Sequence, residues 1–301
     1  MTYEPVFIPV NGTDTLHMMR IYRDPEGPPV LMLHGAIENG TIFYNESGKG
    51  LGPYLAMNGY DVYAADLRGR GGSYPHVSRR STYGQTESIT EDIPAFMNRI
   101  IELRGSISQR WVCHSWGGVL ATSHLVRFPG HIKNVKSLTY FGSKRRVSVR
   151  NMHRLVYIDF IWRYLLTLAS KIFGYVPSSR FGLGIDDESR KSHAFCVRWV
   201  EEKEWIDPQD GFDYGKAARG VTLPPALYFA AANDLSLGHP SDVMDFIRES
   251  GDHPYRHVLL SRENGNLHDY DHVTMVAHRD AVRDHFPEVL AWLAGQAGHA
   301  Q

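Results

Sequence analysis

Short apolar runs that alternate with helix-spaced segments constrain the fold of this chain more than any other feature of its sequence. Two early strand-like runs, at 5–10 and 16–22, are joined by an Asn11-Gly12 turn, a typical hairpin signal. Four further buried-strand patterns follow, at 29–33, 60–65, 110–113 and 135–141. Helical patterns separate the later strands, so the sequence predicts a mostly parallel sheet covered by helices.

The alternation stops between about residues 143 and 223 and then resumes. This segment shows no clear strand, and it includes one strongly apolar helical pattern at 155–168. Strand and helix patterns return after Pro225. We therefore expect a sheet of about eight strands in a core made of residues 1–142 and 224–301, with residues 143–223 inserted as a helical cap.

The composition argues against several classes of protein. The 301 residues are 43% apolar and 22% charged, so a sizeable core can form and global disorder is not expected. The formal net charge of -1 at pH 7 gives no field that would attract nucleic acid or anionic lipid, and the short basic run at 144–146 is expected to be a solvated surface. No apolar run reaches the roughly 18 residues of a membrane-spanning helix.

The two cysteines, Cys113 and Cys196, lie far apart in the sequence and have no metal-ligand partner at suitable spacing. A disulfide framework is therefore not expected, and a reducing compartment fits. The N-terminus has no basic region followed by an apolar stretch, so no secretory signal is predicted and we expect a cytoplasmic protein. No metal or organic cofactor is expected for the chemistry described next.

A candidate nucleophile lies where a predicted strand turns into a helix. Residues 111–118 read WVCHSWGG and place Ser115 at the tip of this turn. The turn would lift the hydroxyl out of the sheet at the positive end of the helix, with the N–H of Trp116 facing a developing oxyanion. It needs small residues two positions before and after the serine; Gly117 fits, whereas Cys113 stands where the G-x-S-x-G pattern has glycine. A chance serine in a strand-to-helix turn is the alternative.

The order of serine, acid and histidine along the chain resembles the α/β-hydrolase superfamily. The resemblance extends from about residue 5 to 294 without the insertion, and it includes His34-Gly35 after the third predicted strand and the glycine-rich turn at 66–73. It implies the α/β-hydrolase fold, and it implies that Ala36, which follows the His-Gly pair, donates a second oxyanion N–H. Side chains of the 66–73 turn are expected to brace a loop beside the site, and His114 is expected to pack locally.

Asp234 is the candidate acid, because it directly follows the strand predicted after the insertion, where the superfamily usually places this residue. A carboxylate there would hold the imidazole tautomer and stabilise the imidazolium. A helix N-cap or turn aspartate is the alternative for Asp234. Asp242 is a weaker rival, since it precedes an apolar helical run and suits early-helix electrostatics.

Four histidines near the end of the chain compete for the role of base. His272 is our prediction, because the sequence from Asp271 through an apolar run into the last helix resembles the lipase-like pattern. His268 is the runner-up, as the first histidine after the last predicted strand. His278 and His285 are expected to be ordinary helix-surface residues.

The resemblance implies a serine hydrolase that forms an acyl-enzyme. The apolar cap, with Phe160, Trp162 and Tyr164 as candidates to line an acyl pocket or to form the core side of the cap helix, suggests a medium-sized apolar substrate. The lipase-like pattern points to carboxylic esters. Carbon–carbon hydrolases, thioesterases and acyltransferases use the same machinery, and a non-catalytic ligand-binding member of the fold is the rival from another class.

Overall fold

Ten strands form two sheets in this computed structural model, which describes residues 1–45 and 47–295. The strands are β1 (Thr2–Val10), β2 (Asp14–Tyr22), β3 (Pro29–Leu33), β4 (Asp61–Asp66), β5 (Gln109–His114), β6 (Val135–Phe141), β7 (Tyr175–Val176), β8 (Glu188–Ser189), β9 (Ala226–Ala231) and β10 (Tyr255–Leu260). Eight of them form one sheet in the order β1-β2-β4-β3-β5-β6-β9-β10, and β7 pairs with β8 in a separate small sheet.

The large sheet is parallel except at one edge. β1 pairs antiparallel with β2, and β2 pairs antiparallel with β4, whereas all other neighbours are parallel. The β1–β2 hairpin turns at Asn11 and Gly12, which both have positive φ, as a tight hairpin with a right-handed twist requires. The expectation of about eight mostly parallel strands is confirmed.

Helices lie between the parallel strands and over the carboxyl edge of the sheet. They are α1 (Leu51–Met57), α2 (Gln85–Glu87), α3 (Ile93–Arg104), α4 (Trp116–Arg127), α5 (Met152–Arg154), α6 (Leu166–Phe173), α7 (Arg190–Glu201), α8 (Tyr214–Ala218), α9 (Pro240–Glu249), α10 (Thr274–Ala277) and α11 (Phe286–Leu293). π-Helical turns at Ser88–Asp92 join α2 to α3, and similar turns at Leu155–Leu165 join α5 to α6. None of the helices in the described residues is both long and apolar enough to cross a bilayer.

Two apolar layers, one on each face of the large sheet, form the core. Alternate residues of a strand point to opposite faces, so Leu31 and Leu33 of β3 enter one layer while Val30 and Met32 enter the other. The first layer packs against α3, α4, α7 and α9, and the second packs against α1, α10 and α11. Every residue of β3, β4, β5 and β9 is buried, as expected for strands covered on both faces.

The basic run at 144–146 differs from the prediction of a solvated surface. Lys144 and Arg145 are both buried. The Arg145 guanidinium donates hydrogen bonds to the carbonyl oxygens of Trp199 and Lys203, and it pairs with the carboxylate of Glu249. The sequence pattern could not reveal this burial, because the acceptors belong to α7, the loop after it and α9.

Candidate active site

Ser115 occupies a strained turn between β5 and α4. Its φ of 51° is positive, a conformation that costs a non-glycine residue about 1–3 kcal/mol and is maintained only when the surrounding structure enforces it. Two contacts enforce it: the Ser115 N–H donates to the carbonyl oxygen of Phe141 at 2.8 Å, and Gly117 lies so close to β3 that a Cβ there would be 2.4 Å from the Leu33 carbonyl oxygen. Cys113 is fully buried at the end of β5 and takes the small-residue position without displacing the turn.

Ser115, His272 and Asp234 form a continuous hydrogen-bonded row. The His272 Nε2 lies 2.7 Å from the Ser115 Oγ, and the His272 Nδ1 lies 2.5 Å from the Asp234 Oδ2. Asp234 lies three residues after β9, and His272 lies in the loop between β10 and α10. Parallel strands place their carboxyl ends at the same edge of a sheet, which explains how residues so distant in sequence meet.

Burial and charge set the protonation of this row. Burial lowers the pKa of His272 below its ordinary value, and this effect outweighs the opposing influence of the Asp234 carboxylate. Burial alone would raise the pKa of Asp234, but the nearby His272 ring and the Lys144 ammonium hold that pKa below the ordinary value. The imidazole is therefore neutral near pH 7, with a lone pair on Nε2 available for the serine proton.

The other candidate acids and bases have different partners. The His268 Nε2 lies 2.9 Å from the Asp280 carboxylate, and the His285 ring hydrogen-bonds to the carbonyl oxygen of Met275. His278 accepts a hydrogen bond from the Asp280 N–H at the start of a 3₁₀ turn. Asp242 lies in the first turn of α9, where it accepts hydrogen bonds from Ser148.

A second buried histidine, His114, supports the main chain of His272. The His114 Nε2–H donates to the His272 carbonyl oxygen at 2.8 Å, and the His114 Nδ1–H donates to the Glu38 carboxylate at 2.8 Å. Burial lowers the pKa of His114, but the Glu38 charge outweighs burial and raises it. Burial has the opposite effect on the carboxyl group of Glu38 and raises its pKa, but the charge and hydrogen bond of His114 outweigh burial and lower this pKa to about 2. Each ring nitrogen of His114 faces an oxygen acceptor, an arrangement that favours the imidazolium; the residue bonds to distant segments, whereas the sequence led us to expect local packing.

Glu38 was not identified from the sequence. It lies in the loop after β3, where its carboxylate also accepts the Gly35 N–H at 2.8 Å. The loop passes directly beside the nucleophile, since a Cβ on Gly35 would be 2.9 Å from the Ser115 Cβ. The available signal for a role at the site was a charged residue only a few positions after a buried strand and the His-Gly pair. Its partner, His114, is 76 residues away in the sequence, so no local pattern links the two.

Residues of the inserted segment hold the loop that contains Ala36. The Ile37 carbonyl oxygen accepts the N–H groups of Ile185 and Asp186 at 2.9 and 3.1 Å, and the Ile37 N–H donates to the Glu188 carboxylate at 3.2 Å. Ile37 has a φ of 52°, so these bonds hold another strained non-glycine residue. Arg70 pairs with Glu188 and donates to the Gly35 carbonyl oxygen at 3.1 Å, which completes the connection.

The glycine-rich turn after β4 braces neighbouring loops, as the sequence predicted. The Asp66 carboxylate accepts the N–H groups of Gly40 and Gly72 at 2.6 and 2.8 Å, and it also contacts the His17 ring. The Ser73 hydroxyl donates to the Asp66 carbonyl oxygen. Arg68 donates to the buried Asp92 carboxylate through its guanidinium.

The three cap aromatics do not lie together. Phe160 and Tyr164 are 53% and 61% exposed, on the solvent-facing side of their helix. Trp162 is half-buried against the core, and its ring meets the His193 ring edge to face at a centroid distance of 4.9 Å. Of the three side chains, Trp162 is the one that faces the interior of the protein.

One trio in the described part of the chain has metal-ligand spacing: the candidate ligand atoms of His268, His278 and Asp280 lie within 4.8 Å of one another. The Asp280 carboxylate already lies 2.9 Å from the His268 ring and forms an ion pair with the Arg283 guanidinium at 3.0 Å. Protein side chains therefore occupy the positions around this carboxylate.

Comparison with known proteins agrees with this architecture. A family model described as alpha/beta hydrolase fold matches residues 28–159. The lipase lipl-3 of Caenorhabditis elegans is 26% identical over 165 residues, which cover 48% of this chain and 41% of that lipase; the chain thus spans less than half of this relative.

Two solved structures match nearly the whole chain. An esterase from Exiguobacterium antarcticum superposes with a TM-score of 0.64 at 16% identity, over 97% of this chain and 100% of that one. The thioesterase domain from the curacin biosynthetic pathway superposes with a TM-score of 0.57 at 18% identity, over 98% of this chain and 100% of that one. The sheet, the family model and the relatives together identify the chain as an α/β-hydrolase-fold protein that is similar to lipases and esterases.

Proposed function

We propose that this chain is a serine hydrolase that cleaves a carboxylic ester through an acyl-enzyme intermediate. The observation that carries the proposal is the row of contacts from Asp234 through His272 to Ser115, at the edge of the sheet where this fold binds its ligands. A nucleophile, a base within hydrogen-bond reach and a group that orients the base are the requirements for activating a serine hydroxyl.

In the acylation step, the Ser115 Oγ attacks the carbonyl carbon of the ester while the His272 Nε2 takes the hydroxyl proton. Asp234 accepts the Nδ1–H of the resulting imidazolium and stabilises its charge. The N–H groups of Ala36 and Trp116 are the proposed donors to the oxyanion, each worth about 3 kcal/mol in comparable sites. The bond from carbon to the alcohol oxygen then breaks, and His272 returns the proton to that oxygen.

In the deacylation step, a water molecule attacks the acyl carbon of the Ser115 ester and gives one proton to the His272 Nε2. The carbon–Oγ bond breaks, and His272 protonates Oγ. The carboxylic acid leaves and the resting site is restored. Each step requires a neutral His272 at its start, which agrees with the lowered pKa of this residue.

The proposed substrate has a medium-sized apolar acyl group. Trp162 is the candidate to contact it, because it is half-buried on the inner side of the inserted helix and packs against the same core layer as Ala36. The lipase name of the Caenorhabditis elegans relative favours an ester over the thioester and carbon–carbon bonds that the same machinery can cleave.

Labelling with a fluorophosphonate probe tests the nucleophile. We expect covalent labelling of the wild-type protein and none of Ser115→Ala. Ser123→Ala is the matched control: among the residues that the structure describes, the hydroxyl of this buried serine of α4 bonds only to the Val119 carbonyl oxygen, so its loss should leave labelling unchanged. Equal labelling of the Ser115→Ala variant would refute the mechanism.

A substrate panel tests the bond type. Aryl esters of acetate, butyrate and octanoate are compared with a thioester that carries the same butyryl group. Faster turnover of the esters, with a maximum beyond acetate, supports the proposal. Turnover of the thioester alone would reassign the substrate class, and labelling without any turnover would favour a ligand-binding protein.

A further inference from the structure

The inserted segment carries an exposed apolar stripe. Residues 152–173, here called the cap helix, run through α5, the π-helical turns and α6. At every fourth position an exposed apolar side chain appears, and the six are Met152, Val156, Phe160, Tyr164, Leu168 and Ile172. Four residues are slightly more than one turn of an α-helix and slightly less than one turn of a π-helix, so in this mixed helix the six side chains stay on one side and form a stripe.

The stripe is not the side of the helix that packs on the core. A second row, offset by two positions, faces inward: Ile158 and Leu166 are buried, and Trp162 is half-buried. The cap helix is thus apolar on both sides, unlike an ordinary surface helix, which has a polar outer face. Of the 24 large apolar side chains that are exposed in the described chain, twelve lie between Met152 and Ile185. Such a concentration marks an interaction surface.

Basic residues outnumber acidic residues around the stripe. Between residues 143 and 185 the only acidic residue is Asp159, whereas Arg150, Arg163, Lys171 and Arg180 are basic and exposed. Arg163 pairs with Glu201 at 2.8 Å. For the other three, no carboxylate of the described residues lies within ion-pair distance. The near-neutral charge of the whole chain conceals this local excess of cations.

We propose that the cap helix is a docking surface for the interface of an anionic lipid bilayer. A helix of this kind lies in the plane of the interface, with its apolar side among the upper acyl chains and its cations at the lipid phosphates. A second copy of the chain fits less well, because it would bring two basic faces together. The proposal concerns binding and does not depend on the proposed hydrolysis.

Vesicle sedimentation tests the docking surface. The full chain, also as the Ser115→Ala variant to prevent lipid turnover, is mixed with vesicles of phosphatidylcholine alone or of equimolar phosphatidylcholine and phosphatidylglycerol. We expect co-sedimentation mainly with the anionic vesicles, and a smaller bound fraction at high salt because salt screens the cations. Absence of co-sedimentation with the anionic vesicles would overturn the proposal, whatever the activity of the protein.

Two charged substitutions on the stripe should abolish the binding. We expect Leu168→Glu/Ile172→Glu to lower the bound fraction at least tenfold, because two carboxylates would enter the acyl region against the lipid charge. The matched control, Met57→Glu/Ile107→Glu, adds the same charges at exposed apolar positions in α1 and in the loop before β5. Both positions lie near the amino ends of the strands, away from the cap helix. This control should bind like the wild type.

Folding and self-association are measured on the same samples. Circular dichroism and hydrolysis of a soluble acetate ester establish that Leu168→Glu/Ile172→Glu is folded. Arg150→Gln/Lys171→Gln should weaken binding to anionic vesicles and reduce its salt dependence, without changing the circular dichroism spectrum or the hydrolysis of the acetate ester.

Equal binding by Leu168→Glu/Ile172→Glu and by the matched control would contradict the proposal. So would a wild-type dimer that this variant converts to a monomer, since a second copy would then cover the face.

Discussion

A buried residue, His114, contributes to the electrostatic surroundings of the proposed base, beside burial and the Asp234 carboxylate. Its imidazolium lies between the Glu38 carboxylate and the His272 carbonyl oxygen, and its ring centroid is 4.9 Å from that of His272. A cation at this distance disfavours a second proton on the neighbouring ring, and it contributes to the lowered pKa of His272. His114 is therefore a positioning residue that also tunes the base.

His272→Ala should lower kcat for a soluble aryl ester by a factor on the order of 10⁴ or more, since a triad without its base leaves only binding and oxyanion contacts. His268→Ala should lower kcat by less than about tenfold, because His268 bonds to Asp280 on a half-buried surface. Steady-state kinetics of the two purified variants decide the matter. Reversed results would assign the base to His268.

Glu38→Gln should move the pH profile of kcat/KM. We expect the wild-type rate to fall at acid pH, as His272 becomes protonated; its pKa is lowered below its ordinary value, mainly by burial. Without the Glu38 charge, His114 loses its proton more readily, His272 loses a cationic neighbour, and the pKa of His272 rises. The acid limb then shifts to higher pH. A lower plateau with an unshifted acid limb would mean that Glu38 only supports the loop.

At the scale of elements, the inserted segment contacts the loop beside Ser115 and carries the side chain that we propose to bind the acyl group. Residues 185–188 hold the loop after β3, which lies beside Ser115, through backbone and carboxylate hydrogen bonds. The cap helix carries the half-buried Trp162, the proposed contact for the acyl group. The loop contact would affect all substrates alike. A side chain that binds a remote part of the acyl group affects only those long enough to reach it.

Trp162→Ala should therefore change the preferred acyl length. We expect kcat/KM for an octanoate ester to fall more than tenfold while turnover of the acetate ester changes little. Tyr164→Ala, an aromatic truncation on the exposed side of the same helix, should leave the ratio of the two rates unchanged. An equal loss for all esters in the Trp162 variant would indicate that the ring only holds the helix in place.

The sequence predicted elements with local patterns and missed contacts between distant segments. The strands and the strand-to-helix turn at Ser115 could be found because apolar periodicity and turn chemistry are local. The burial of Arg145 and the support of Ile37 by Glu188 have no local signature, since their partners lie on other elements. The outward exposure of Phe160 and Tyr164 was also unpredictable, because both sides of the cap helix are apolar.

At the scale of the whole molecule, Arg145 joins the inserted segment to the core. Its guanidinium donates to carbonyl oxygens after α7 and pairs with Glu249 of α9, while its side chain is fully buried. A buried cation without water depends on such acceptors. The two regions are thus connected by polar bonds as well as by apolar packing.

Arg145→Met should lower the free energy of unfolding by about 3–5 kcal/mol, because it leaves several carbonyl oxygens and the Glu249 carboxylate without their donor. Arg146→Met is the neighbouring control; this half-buried residue has no ion pair within the described residues, so we expect a loss below about 1 kcal/mol. Urea unfolding followed by tryptophan fluorescence measures both. Similar losses for the two variants would show that Arg145 is not the link.

The bonds from Ile185 and Asp186 to the Ile37 carbonyl oxygen make the inserted segment and the proposed oxyanion hole mutually dependent. If residues 185–188 swing outward to admit a bulky substrate, the strained loop beside Ser115 loses its support at the same moment. An open molecule would then hold a serine with no preformed partner for the negative charge. Acylation could then begin only after residues 185–188 have closed over the bound substrate.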